Sequence, residues 1–289
     1  MRRLLLLLPL LFLLPNRQDA DPSKTAVIPF EDDPQIKLVA SDEMEELAKY
    51  NPVQFMENCL RRYKRTVTAY TLTLDKQERL GDKLQPREII AATFREKPFS
   101  VLLRWEKGAR LADSVLYVDG ENQDKVEGQV RSMLVVHPSG VLGRLLKPVT
   151  RDPDGREAKQ SGRYTVPEFG LEKGMLLTWN SWKKAAEDPN GNKLHVEYLG
   201  VVSLEETGNR PCYKLRRTQY AHPEEVDSKG FGITELTIYV DKETWLQVGS
   251  ELRGDLKGEK QWIGKYYFRD IRLNPELKDD NFKPEALTK

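Results

Sequence analysis

From Tyr70 onward apolar and polar residues alternate: Tyr70, Leu72 and Leu74 share one side, Thr71, Thr73 and Asp75 the other. This period of two marks a strand with one buried face. Gly81-Asp82-Lys83 supplies a turn before EIIAATFRE, so the two runs predict a hairpin. KPFSVLLRWE then places Phe99, Val101, Leu103 and Trp105 on one face and Ser100, Leu102 and Arg104 on the other, with Pro98 at the strand start. SVLYV, VRSMLVVHP, KLHVEYLGVVSLEE, CYKLRRTQY, ITELTIYVDKETWLQVGSEL and KQWIGKYYFRDIRLN continue the pattern. Their short connections predict antiparallel neighbours, about nine or ten strands in all.

Helical spacing interrupts this rhythm in three places. SDEMEELAKY offers Ser41 as N-cap of a short helix, and Asn51-Pro52 opens a second in which Val53, Met56, Leu60 and Tyr63 recur three and four apart. Between 138 and 192 the chain holds turn clusters and then VPEFGLEKGMLLTWNSWKKAAED. Pro167 opens a helix there with Leu171, Met175, Trp179 and Trp182 on one side, although Gly170 and Gly174 oppose it. No βαβ alternation is present. The expected class is α+β: a single curled antiparallel sheet, a half-open β-barrel, with two or three covering helices, in preference to a sandwich.

The ends of the chain set its organisation. Arg2 and Arg3 precede an apolar run from Leu4 to Leu14, which has signal-peptide length and is short for a spanning helix. We expect residues 1–20 to be a signal peptide, 21–50 a linker with a short helix, and 51–289 one domain of an exported, periplasmic protein. Ala20 is the nearest small residue to a cleavage point, and an uncleaved membrane anchor is the alternative. The 46 Lys and Arg residues nearly balance 45 Asp and Glu, a net charge of +1. No global field draws the chain to nucleic acid or anionic lipid, so membrane contact is expected only through the N-terminal segment or transiently. Cys59 and Cys212 are the only cysteines; in an exported chain they form either one disulfide or two buried thiols.

Candidate chemistry is sparse. His137, His195 and His222 stand alone, without partners at ligand spacing, so no metal and no cofactor is expected. DPNGN at 188–192 is followed by Lys193 where a calcium loop requires Gly, and no Glu stands at that loop's last position; neither G-x-S-x-G nor a P-loop occurs. Catalytic residues are expected to be none. Phe94, Phe99, Trp105, Trp262, Tyr266 and Phe268 stand at core-facing positions in their strands, where they either pack a core or line a ligand chamber.

KPFSVLLRWE followed by VLYVDGE resembles a run in periplasmic lipoprotein carriers of the Lol type, and the closing segment with Asp241, Thr244, Phe268, Asn274 and Phe282 is similar to their C-terminal pattern. FMENCLRRYKRTVTAYTLTLDKQERLGDKLQPREIIAATFREKPFSVLLRW and SGRYTVPEFGL resemble a bacterial exported family known only as domain of unknown function 1571, over most of residues 52–285. That family has no established activity. The carrier resemblance implies a half-open barrel with a helical lid over an apolar hollow that holds acyl chains. It places Lys97 where the carriers have a basic residue in contact with the lid, although lysine lacks the planar fork of arginine.

The expected function is therefore non-catalytic binding of a lipid, a lipidated protein or another apolar ligand, in envelope lipid or lipoprotein transport. The expected lining is Leu72, Leu74, Phe94, Val101, Leu103, Trp105, Leu236, Ile238, Trp262 and Phe268. The competing expectation is an envelope interaction module whose barrel is filled by its own side chains; a hydrolase of unrecognised type ranks third.

Overall fold

The computed structural model describes residues 27–143, 145–188, 194–220 and 232–288. The expected signal peptide and His222 lie outside them, as does nearly all of the DPNGN turn. Two helices lead, α1 (Met44–Tyr50) and α2 (Pro52–Thr66). Next come strands β1 (Ala69–Leu80), β2 (Lys83–Leu84), β3 (Glu88–Arg95), β4 (Ser100–Lys107), β5 (Ala112–Val118), β6 (Gln123–Val126), β7 (Gln129–Ser132) and β8 (Leu134–Pro138). The middle holds α3 (Gly140–Gly143), β9 (Val149–Arg151), α4 (Arg156–Ser161) and α5 (Leu171–Ala186). Strands β10 (Val196–Ser203), β11 (Pro211–Arg217), β12 (Glu235–Asp241), β13 (Gln247–Leu256) and β14 (Glu259–Leu273) complete the chain.

One 12-stranded sheet runs β10-β11-β12-β13-β14-β1-β3-β4-β5-β8-β9, with β2 beside β1; β6 and β7 form a separate hairpin. The sheet is antiparallel, curled and not closed, with β10 and β9 as its edges. It exceeds the expected strand number because β2 and β9 hold only two and three residues, too few to display a period of two.

Helices α2 and α5 lie across the inner face. Asn51 caps α2 by accepting from the Gln54 N–H at 3.1 Å, with Pro52 at the first position. Phe55 and Cys59 join Met56, Leu60 and Tyr63 in the buried stripe, which is broader than the spacing alone marked. Phe55 meets Tyr213 of β11 edge-on at 5.6 Å. In α5, Leu171, Met175, Trp179 and Trp182 are all buried. That helix starts at Leu171 and not at Pro167, because Gly170 adopts φ +142°, a conformation that breaks the helical run and that glycine tolerates. Pro167 falls instead in a 3-10 turn, Val166–Glu168. Ser41 is not the cap of α1: Glu43 precedes that helix, without a side-chain capping bond.

The stretch read as linker packs on these helices from residue 28. Phe30 is buried edge-on against Trp179 at 5.3 Å, Asp32 takes Arg65 at 2.7 Å, and Asn180 pairs with the Ile28 backbone. The C-terminal tail covers the outer face of β4, β5 and β8, where Leu102, Leu116, Val118 and Val135 pack with Phe282, Ala286 and Leu287. Arg104 and Ser114 donate to the carbonyls of Ala286 and Leu287 at 2.6 and 2.9 Å.

Candidate functional site: a hollow between sheet and insertion

Position along the strand decides whether an inward-facing residue packs against a helix or faces open space. At one level Tyr70 stacks on Phe94 at 4.5 Å, Phe99 closes on the Phe94 ring edge-on, and the Tyr70 hydroxyl accepts the Leu171 N–H at 3.0 Å. Moving along β1, Leu74 pairs in register with Ile90 of β3 and Phe268 of β14, and Lys76 with Glu88 and Tyr266. Here only the N-terminal half of α5 stands over the sheet, with Thr178 donating to Gln247 of β13. A cavity of about 560 Å³ opens, walled by Leu74, Ile90, Leu103, Leu236, Leu252 and Phe268 and enclosed opposite by the segment from Glu157 to Thr178. Such a volume is in the ordinary range for small-molecule pockets.

Of the ten residues expected as lining, Leu74, Leu103, Trp105, Leu236 and Phe268 stand in this wall. Leu72, Phe94, Val101 and Ile238 share their inward parity but are buried in the core under the helices. Trp262 is elsewhere: the register shift after Leu252 puts Ile263 into the core, and the Trp262 ring lies between the Arg253 and Lys265 cations at 3.7 and 3.8 Å. Lys97 is exposed in the turn after β3 and does not line the cavity. Its neighbour Glu96 makes the helix contact, accepting from the Tyr63 hydroxyl at 2.6 Å.

Sequence reasoning missed the charged part of the wall. Lys76 Nζ lies 3.1 Å from Glu78 Oε2 and 3.3 Å from Glu88 Oε2. Tyr266 donates to Glu78 at 2.8 Å, while Trp105 and Arg110 donate to Glu88 at 3.1 and 2.9 Å. Arg110 also donates to the Ser161 carbonyl, tying the insertion to the sheet. Gly162 permits this approach, since a Cβ there would stand 3.1 Å from Glu78 Oε2. Burial pulls the Lys76 pKa down, but the two carboxylates more than offset that and hold it above the usual lysine value. The signal was in the parity: Lys76 and Glu78 continue the inward series of Leu72 and Leu74, where a charge requires a partner.

Further polar groups of the wall are engaged within the protein. Thr178 donates to Gln247, which donates to Ser250 at 2.8 Å, and Glu168 accepts from Thr165. The space is thus bounded largely by aliphatic and aromatic surface, with the Glu78 and Glu88 carboxylates matched to Lys76 and Arg110.

The other sequence candidates are structural. Cys59 and Cys212 are free, buried thiols. Cys59 lies on the Phe55 side of α2, which Tyr213 faces; alternation along β11 turns the neighbouring Cys212 away, toward the Arg210 carbonyl at 3.3 Å. Asp241 accepts the Glu243 and Thr244 N–H groups at 2.9 and 2.7 Å, and Asn274 accepts the Thr68 N–H at 2.8 Å. His137 is buried and His195 exposed; no group of metal-ligating side chains occurs among the described residues. Among the same residues no helix is long and apolar enough to cross a membrane.

Several solved structures are similar to this chain at low identity. A LolA superfamily protein from Nitrosomonas europaea is 10% identical, with 80% of this chain and 98% of that chain covered at a TM-score of 0.33. Lipoprotein LppX from Mycobacterium tuberculosis is 10% identical over 79% and 99% of the two chains, at 0.37. A DUF1329 family protein from Desulfovibrio piger is 12% identical over 82% and 99%, at 0.36. No curated protein matches the chain. Residues 67–287 match the family described as protein of unknown function (DUF1571), and the chain belongs to that family.

Proposed function

We propose that this protein binds an acyl chain or a comparable apolar ligand in the hollow, without catalysing a reaction, as an exported carrier in the bacterial envelope. The observation that carries this is the cavity of about 560 Å³, apolar along β1, β3, β4, β12, β13 and β14, whose buried carboxylates Glu78 and Glu88 are already paired with Lys76 and Arg110. Glu78 and Glu88 are bound to Lys76, Arg110, Trp105 and Tyr266, so neither is poised as a free acid or base. A barrel filled by its own side chains would leave no such space.

Each buried CH₂ contributes about 0.8 kcal/mol, whereas association costs on the order of 4–15 kcal/mol. Roughly ten methylenes in contact with the wall yield about 8 kcal/mol, which favours long chains over short ones. The experiment is native mass spectrometry and solvent extraction of protein purified from its envelope, followed by titration with a fluorescent long-chain fatty acid. Adducts of lipid mass and saturable fluorescence are expected. Protein that carries no lipid and leaves the probe unbound would overturn the proposal.

A further inference from the structure

Among the described residues, a group of exposed apolar side chains lies beside the cavity wall. The chain leaves the wall at Pro138, forms α3, and returns to the wall at Val149. In that excursion Val141 is 83% exposed, Leu145 81% and Leu146 57%, and Leu111, on the adjoining turn and itself in the wall, is 60% exposed. The excursion is anchored at its base: Ser139 donates its N–H to the Leu111 carbonyl at 3.1 Å and its hydroxyl to the Arg110 carbonyl at 2.9 Å. It also folds tightly, because a Cβ on Gly143 would stand 2.6 Å from the Pro138 carbonyl oxygen. Exposing four large aliphatic side chains together costs solvation that a soluble surface ordinarily avoids.

Charge indicates what covers them. From Pro138 to Arg151 the sequence PSGVLGRLLKPVTR contains Arg144, Lys147 and Arg151 and no acidic residue, in a chain otherwise near balance. Arg151 is engaged by Glu157 at 2.8 Å across the rim, and Lys147 is exposed beside Leu146. Aliphatic tips next to basic residues suit the boundary between acyl chains and anionic headgroups. We propose that the excursion carrying Val141, Leu145 and Leu146 is a membrane-docking finger: these three side chains enter the interface of an anionic bilayer and bring the cavity mouth to the lipid surface. The proposal rests on the cavity reading only for what passes through the mouth.

The test uses the full chain carrying Val141→Cys labelled with an environment-sensitive fluorophore; Cys59 and Cys212 are buried and leave the new thiol as the reactive one. Vesicles are phosphatidylcholine with or without phosphatidylglycerol, doped with a nitroxide lipid. A local probe separates this contact from any made by the apolar N-terminal run. Blue-shifted, nitroxide-quenched emission is expected, stronger with phosphatidylglycerol. Leu145→Asp with Leu146→Asp in the labelled chain should lower vesicle partitioning by at least about tenfold. The same fluorophore at Tyr50→Cys, exposed at the end of α1, should remain unquenched. Absence of quenching at Val141, equal quenching in the double variant, or a signal from self-association without vesicles would overturn the proposal. Quenching in protein that holds no lipid would uphold the docking and refute the carrier function alone.

Discussion

Lys76→Met removes the one ammonium that bridges two buried carboxylates. In the native protein that group lies 3.1 Å from Glu78 and 3.3 Å from Glu88, with its side chain 15% exposed and the two carboxylate side chains 4% and 5%. Without it Glu78 retains the Tyr266 hydroxyl, and Glu88 retains Arg110 and Trp105. Both anions stay out of water with one fewer cation. Breaking a buried pair costs about 3–5 kcal/mol. At about 2–4 °C per kcal/mol for large domains, the midpoint should fall by roughly 6–20 °C in calorimetry. Lys76→Met combined with Glu78→Gln removes one charge of each sign and should recover most of the loss. Burial makes the effect insensitive to added salt. The alkaline limb follows from linkage. The folded pKa of Lys76 is raised, so its stabilisation is complete below about pH 10.4, the unfolded lysine value, and fades as pH rises through the folded value. A Lys76→Met variant within about 1 kcal/mol of wild type would refute the assignment of this cluster as a buried, desolvated network.

Three further outcomes are expected. Ala112→Phe, inside the cavity wall, should reduce fatty-acid affinity by at least about tenfold while the far-ultraviolet circular dichroism is unchanged. Burial raises the Cys212 thiol to about 11 and pushes the Cys59 thiol up further, so at pH 8 both should resist a thiol reagent when native and both should react in denaturant. Burial raises the Glu96 carboxyl above its usual value, against the hydrogen bond from Tyr63 and with repulsion from Glu172 added. Its folded-state advantage exists below about pH 4.3 and is lost as pH rises through the folded value; chemical denaturation should therefore show Glu96→Gln gaining on wild type from pH 4 toward pH 7.

The curled sheet was legible because inward parity holds in β1, in β3 from Ile90 and in β4 up to Trp105, so Leu72, Leu74, Val101, Leu103 and Trp105 could be assigned to one face by counting. Counting stops short of depth. Whether Leu72 or Leu74 meets open space depends on how far α2 and α5 extend over the sheet, a tertiary distance with no local signature. Trp262 departs for a different reason: parity assumes an unbroken ladder, and the register shift between Leu252 and Arg253 brings Ile263 inward and takes Trp262 out of the inward series that holds Phe268. The stretch around Phe30 read as linker because Pro and Asp dominate it. One aromatic ring and the Asp32 ion pairs suffice to hold it on the helices, and neither has a period to detect.

The charged wall also explains how a hollow can adjoin ionised groups and still favour an apolar guest. An unpaired carboxylate on a cavity surface draws in water, because desolvating it alone is far more costly than filling the space. In this wall Lys76 and Arg110 offset Glu78 and Glu88, and Tyr266 and Trp105 occupy further acceptor positions. Under the proposed function the network would take part in selecting the guest without touching its chemistry, by reducing the hold on water at the polar side and leaving the aliphatic wall to supply the binding energy. On this account Lys76→Met loses affinity for an acyl probe as well as stability, since the freed carboxylates recruit solvent into the cavity. Binding isotherms measured well below the variant's melting temperature separate the two effects. An unchanged affinity there would show that the cluster holds the sheet together but leaves the hollow indifferent to it.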